Sequence, residues 1–134
     1  KLKEEPKKDS TAVPKPYRSR ERESISDQLP GAVIKANVDN SHPLAFGLSD
    51  HYFSLKTGAD AYQMPEKAAV PIYLEDPFQS YGFIGSRVKP RLKKTPVIAV
   101  QRMGEGQAVF FVDNPLFRSF WEQGKMLFAN AIFF

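Results

Sequence analysis

The sequence predicts an α/β fold: a sheet of about four to six strands with a C-terminal helix packed on one face. Three observations carry this. Two strongly β-forming runs, residues 96–102 and 107–112, flank Met103-Gly104-Glu105-Gly106 at hairpin spacing. Apolar residues between 116 and 132 recur at three- and four-residue intervals, the period of one helix face. With 134 residues, 42% hydrophobic and 25% charged, the chain is long enough for one core and has an ordinary globular composition.

Residues 1–16 hold three prolines, mixed charge and almost no large apolar side chain, the composition of a flexible linker over 1–17. An α/β domain over 18–134 follows. Lys1 stands where an initiator Met would, so the chain is expected to be a piece of a longer polypeptide. Residues 19–29 predict a short helix, with Ser19 as N-cap, Ile25 and Leu29 on one stripe, and Pro30-Gly31 as terminator. Residues 32–38 alternate as a strand, and Asp39-Asn40-Ser41-His42-Pro43 has loop composition. Strands are expected at 52–56 and 70–74, where Pro71 argues for an edge or a strand start. The aromatic, glycine-rich stretch 77–86 reads as loop. The terminal helix is expected to start at Asn114 (N-cap) and Pro115 (N1), with Phe120 and Trp121 among its buried residues. Gly124, inside that helix, implies close packing.

Net charge is +4, and most of the excess lies in the first 24 residues, where eight Lys/Arg face five Asp/Glu. The remainder is close to neutral, which disfavours nucleic acid as a partner. No cysteine is present, so thiol nucleophiles, disulfides and cysteine zinc sites are excluded. No apolar run approaches the roughly 20 residues that span a bilayer, and no membrane partner is expected.

Candidate sites are sparse. His42 and His51 are the two histidines, and Asp39, Asp50 and Asp113 could join them in principle. Their spacing matches no metal-ligand pair, so no metal site and no catalytic residue are assigned. Asp39, His42, Asp113 and Arg118 stand as candidate loop or ligand contacts, with the His42 imidazole expected to pin its loop. An enzyme using His42 and Asp113 has the least support. Gly104-Glu105-Gly106 lies between two strands and reads as a turn rather than a phosphate loop. Arg87, Lys89, Arg91, Lys93 and Lys94 follow Tyr81 and Phe83 closely, a pattern that can bind a polyanion. The plainer reading is a solvated loop before an edge strand.

Three segments add a further reading. They are Arg20-Glu21-Arg22-Glu23-Ser24-Ile25-Ser26-Asp27-Gln28-Leu29-Pro30-Gly31, Val38-Asp39-Asn40-Ser41-His42-Pro43-Leu44-Ala45-Phe46-Gly47, and Val112-Asp113-Asn114-Pro115-Leu116-Phe117-Arg118-Ser119-Phe120-Trp121-Glu122-Gln123-Gly124-Lys125-Met126-Leu127-Phe128. Their pattern resembles the C-terminal, class I glutamine amidotransferase-like region of bacterial secreted zinc carboxypeptidases of the carboxypeptidase A-like family. The closing Asn130-Ala131 fits the same pattern. The resemblance implies a partial flavodoxin-like or amidotransferase-like sheet in a secreted or periplasmic protein. It also implies a non-catalytic accessory domain, structural or substrate-contacting, whose partner is an upstream peptidase domain of the same polypeptide. The zinc and its His-x-x-Glu ligands would lie in that upstream domain, and this chain by itself would hold no cofactor and be no enzyme. The alternative from a different class is a stand-alone module binding polyanionic glycan or nucleic acid through 87–94. The aromatic end, Phe133-Phe134, additionally implies self-association as a homo-oligomer.

Overall fold

The structure, a computed structural model, describes residues 1–3 and 16–134. Most of the linker expected over 1–17 therefore lies outside the described residues. Leu2 forms an isolated antiparallel bridge with Tyr62, and Lys3 Nζ donates to the Arg91 and Lys93 carbonyls at 3.1 and 2.6 Å.

Helix α1 (Tyr17–Ser26) is followed by β1 (Gly31–Val38), β2 (His51–Lys56), β3 (Ala69–Leu74) and β4 (Ser80–Phe83). A short α2 (Lys89–Leu92), the hairpin β5 (Thr95–Met103) and β6 (Gly106–Phe111), and helix α3 (Glu122–Phe133) complete the order. The α/β character and the C-terminal helix agree with the sequence. The sheet is antiparallel throughout, in the order β2-β1-β3-β5-β6, with β4 also on β1. A flavodoxin-like sheet is parallel, so that part of the expectation does not describe these strands. Short connections explain the outcome: β5 and β6 are joined by a two-residue turn, which only an antiparallel pair accepts. Gly104 has φ +61° in that turn, where a side chain would be strained.

β1 organises the sheet. Its residues 32–37 pair β2 along one side. On the other side β4 pairs its first half and β3 its last two residues. Ala32, Ile34 and Ala36 alternate inward and are buried, and Ile72, Leu74, Ile98 and Val100 join them in the core. The β4 strand falls inside the stretch expected to be loop; it is only four residues long, contains a glycine and has mostly exposed side chains, so it carries no alternating signal. Pro71 sits in an inner strand rather than at an edge. The β3–β5 register shifts between Ala69 and Ile72, and that irregularity absorbs the missing N–H.

Both helices differ from expectation at their ends. α1 stops at Ser26, leaving Ile25 exposed while Leu29, beyond the helix, is buried. The Ser19 hydroxyl donates to the Pro16 carbonyl at 2.7 Å instead of acting as the N-cap. α3 starts at Glu122, seven residues later than its expected first residue, Pro115. Arg118 and Ser119 adopt φ +49° and +56°, which breaks any helix there. Asn114 caps a turn, its Oδ1 accepting from Leu116 N–H at 2.9 Å. Phe120 is exposed and Trp121 half-buried, so Leu127 rather than the aromatic pair anchors the helix in the core. The close packing inferred from Gly124 is present: a Cβ there would collide with the Pro115 carbonyl oxygen. Among the described residues, no helix is long and apolar enough to cross a membrane.

Candidate functional site

The most unusual chemistry lies where the two ends of the sheet meet. On β2 the hydrophobic logic is inverted. Tyr52, Ser54 and Lys56 face the interior, while Phe53 and Leu55 lie on the half-covered face. Two lone polar residues pointing inward would be costly. Asp113, two residues past β6, supplies the compensation. Its Oδ2 accepts from the Ser54 hydroxyl at 2.8 Å and its Oδ1 lies 3.1 Å from Lys56 Nζ. Lys56 as a whole is 4% exposed. Because β2 and β6 are opposite ends of the strand order, this ion pair draws the sheet into a half-barrel. Burial and the Asp113 charge push the Tyr52 phenol up to about 12. A cavity of about 10 Å³ beside the cluster, reached by Asp60, Leu92 and Thr95, has room for about one water. Both Asp113 oxygens are thus engaged within the fold. The arrangement is a clasp between sheet ends.

Asp39 and His42 lie elsewhere. Ser54 stands opposite Ile34 on β1, and Asp39 is five residues further along, roughly 17 Å of extended chain. Asp39 Oδ1 accepts from the Ser41 N–H and hydroxyl at 3.0 and 2.6 Å. These bonds hold its carboxyl below the usual carboxylate range. His42 Nδ1 accepts from Leu44 N–H at 3.2 Å and caps a 3₁₀ turn, Pro43–Ala45. The imidazole therefore pins its loop, as its place before Pro43 implied. His51 Nδ1 lies 2.6 Å from Asp50 Oδ1, and this partner depresses the Asp50 carboxyl. Asp39, His42 and Asp113 are thus not brought together. Among the described residues there is no cluster of three His, Asp or Glu side chains placed to hold a metal ion.

Arg118 is exposed, its guanidinium carbon 5.2 Å from the Phe117 ring centre. Two of the five cations of the basic segment have acidic partners. Arg87 Nη1 lies 3.1 Å from Asp27 Oδ2 and Lys93 Nζ 3.0 Å from Asp76 Oδ1. Arg91 is half-buried on α2, whereas Lys89 and Lys94 are exposed.

The terminal helix meets the turn that His42 begins. Asn130 of α3 is buried, and its Nδ2 donates to the Leu44 and Phe46 carbonyls at 2.9 and 2.8 Å. It thereby satisfies the carbonyls at the end of the turn that His42 begins. The N-terminal end of the same helix closes the β2 edge. Trp121 Nε1 donates to the Phe53 carbonyl at 2.6 Å and Gln123 Oε1 accepts from Phe53 N–H at 3.4 Å. Beside Asn130 the surface is aromatic: Phe46 is 70% exposed, Phe133 is 82% exposed, and the Phe46 and Phe134 rings lie 6.0 Å apart. Ser54, Lys56 and Asn130 were not singled out among the candidate residues. The available signal for the first two was a strand with polar residues on alternate positions and one acidic residue after a strong hairpin.

No family model, curated protein or solved structure matches the chain.

Proposed function

We propose that the chain is a non-catalytic accessory domain that packs against a zinc carboxypeptidase-like domain of the same secreted polypeptide. The observation that carries this reading is the joining of two of the resembling segments at one place. Asn130 bonds the turn begun by His42-Pro43-Leu44, directly beside the exposed rings of Phe46, Phe133 and Phe134. Exposed aromatic clusters of this kind are characteristic of contact surfaces. The occupant of this surface is the peptidase domain. In this reading zinc-activated water does its chemistry in the upstream domain. The family resemblance supports the upstream domain, and the inward-facing clasp of Lys56 and Asp113 supports a structural role for this one.

The polyanion alternative is less well supported, because Asp27 and Asp76 already neutralise Arg87 and Lys93. Heparin retention lost in Lys93→Glu/Lys94→Glu would favour it.

The test has two parts. The reading frame preceding Lys1 should encode a His-x-x-Glu zinc peptidase, and that domain, produced separately, should retain this chain on a column. Phe46→Asp/Phe133→Asp should abolish retention without changing the circular dichroism. The isolated chain should hydrolyse no C-terminal peptide bond and carry no stoichiometric zinc. An upstream frame without a peptidase, or zinc and carboxypeptidase activity in this chain lost on His42→Ala, overturns the reading.

A further inference from the structure

The two ends of the sheet are treated differently. At β2 the outward N–H and C=O of Phe53 are taken by Gln123 and Trp121. At β6, among the described residues, nothing takes them. Val112 N–H donates to the Val97 carbonyl at 3.0 Å, which fixes the phase of the β5–β6 ladder. Hydrogen-bonded pairs alternate along an antiparallel ladder. Ala99↔Phe110, Gln101↔Ala108 and Met103↔Gly106 are therefore bonded pairs, and Ile98↔Phe111, Val100↔Val109 and Arg102↔Gln107 are not. The backbone groups of Gln107, Val109 and Phe111 consequently point away from β5. Among the described residues, none bonds to them.

This edge also lacks the usual guards. Gly106-Gln107-Ala108-Val109-Phe110-Phe111-Val112 has no charge and no proline, and its β5 partner is paired without a bulge. Its flanks are apolar, with Phe110, Phe128 and Ile132 all exposed. We infer that the β6 edge pairs antiparallel with the β6 edge of a second copy of this chain, with Val109 on the twofold axis. A second copy fits because the segment is complementary to itself. With Val109 facing its own symmetry mate, Gln107 faces Phe111 and Gly106 faces Val112. This register pairs all of residues 106–112, a stretch that contains no charged side chain. It aligns the three outward-pointing residues so that each N–H and C=O meets a partner. Shifting the axis to residue 107 or 111 leaves part of the segment unpaired. The inference is independent of the accessory-domain reading, which uses the Phe46–Phe133 surface.

Val109→Pro tests it on the whole chain. Val109 N–H makes no bond to β5, so proline there removes only the outward donor and is tolerated by an edge strand. Phe110→Lys, which adds a charge at an exposed position close to the axis, is the second variant. Sedimentation equilibrium over a broad concentration range reads the outcome, with near-ultraviolet circular dichroism of Trp121 reporting the fold. The native chain should double in mass with concentration, and each folded variant should weaken that association about tenfold or more. If Val109→Pro fails to fold, Phe110→Lys decides. A native chain that stays monomeric, or a dimer untouched by the folded variants, overturns the inference. Failure here leaves the column test of the peptidase contact unaffected.

Discussion

At the scale of single residues, Lys56 and Asp113 are the most consequential pair. Removing one partner strands a charge in the interior, so Lys56→Met is expected to cost about 3–5 kcal/mol of unfolding free energy. Lys56→Met/Asp113→Leu should cost markedly less than the single change, because no buried charge remains. Urea unfolding of the two variants checks this. Tyr52 reports on the same cluster through pH. Its phenol is held neutral to about 12, against an ordinary value of 10.0. In this range the folded chain retains a proton that the unfolded chain has lost. Stability is therefore fully present below pH 10 and falls as pH rises towards 12, by about 2–3 kcal/mol in all. Tyr52→Phe should flatten that alkaline slope in urea midpoints taken across the window. Asp39 works in the opposite sense. Its carboxyl is depressed by Ser41, so its contribution is present at neutral pH and lost as pH falls through its lowered value. Carboxyl NMR titration should show Asp39 returning towards the ordinary range in Ser41→Ala.

At the scale of elements, α3 is set by the loop before it as much as by its own apolar stripe. Gly124 lies against the Pro115 carbonyl, so Gly124→Ala is expected to destabilise by about 1–3 kcal/mol although alanine is the better helix former. Gly58→Ala, which meets open space, is the matched control and should shift the thermal midpoint little. Asn130→Ala removes the donor shared by the Leu44 and Phe46 carbonyls in a buried place, at a cost of about 1–3 kcal/mol. The same change should speed amide exchange in the Pro43–Ala45 turn. The β5–β6 hairpin was legible because its signals are local: β-branched runs and a glycine at the turn. β4 was not, since four residues with a glycine carry too little pattern, and it gains its partner only from β1.

At the scale of the whole molecule, the half-barrel follows from its ends. β2 and β6 are far apart in strand order, yet Asp113 ties them, and α3 reaches the core through Leu127. Breaking the clasp should therefore act at a distance. In Asp113→Asn, hydrogen exchange is expected to rise at β2 and β6 together while the β1–β3 centre stays protected. Equal exchange across all strands would mean that the clasp does not set the curvature. The candidate site was legible only in part. Asp113 and His42 drew notice as acidic and imidazole groups beside strands, but the sequence offered no means of seeing that one faces Lys56 and the other caps its own turn.

What the sequence by itself determined was local: the strands around 32–38, 52–56, 70–74 and the final hairpin, the existence of a C-terminal helix, and the tight packing at Gly124. Each rests on period, turn chemistry or a missing Cβ within a few residues. The tertiary structure alone decided the antiparallel order, the burial of Ser54 and Lys56, the late start of α3 and the place of β6 at the end of the strand order. Those depend on which groups meet across the fold. A buried lysine becomes tolerable only when a carboxylate 57 residues away arrives beside it, and no local pattern records that meeting.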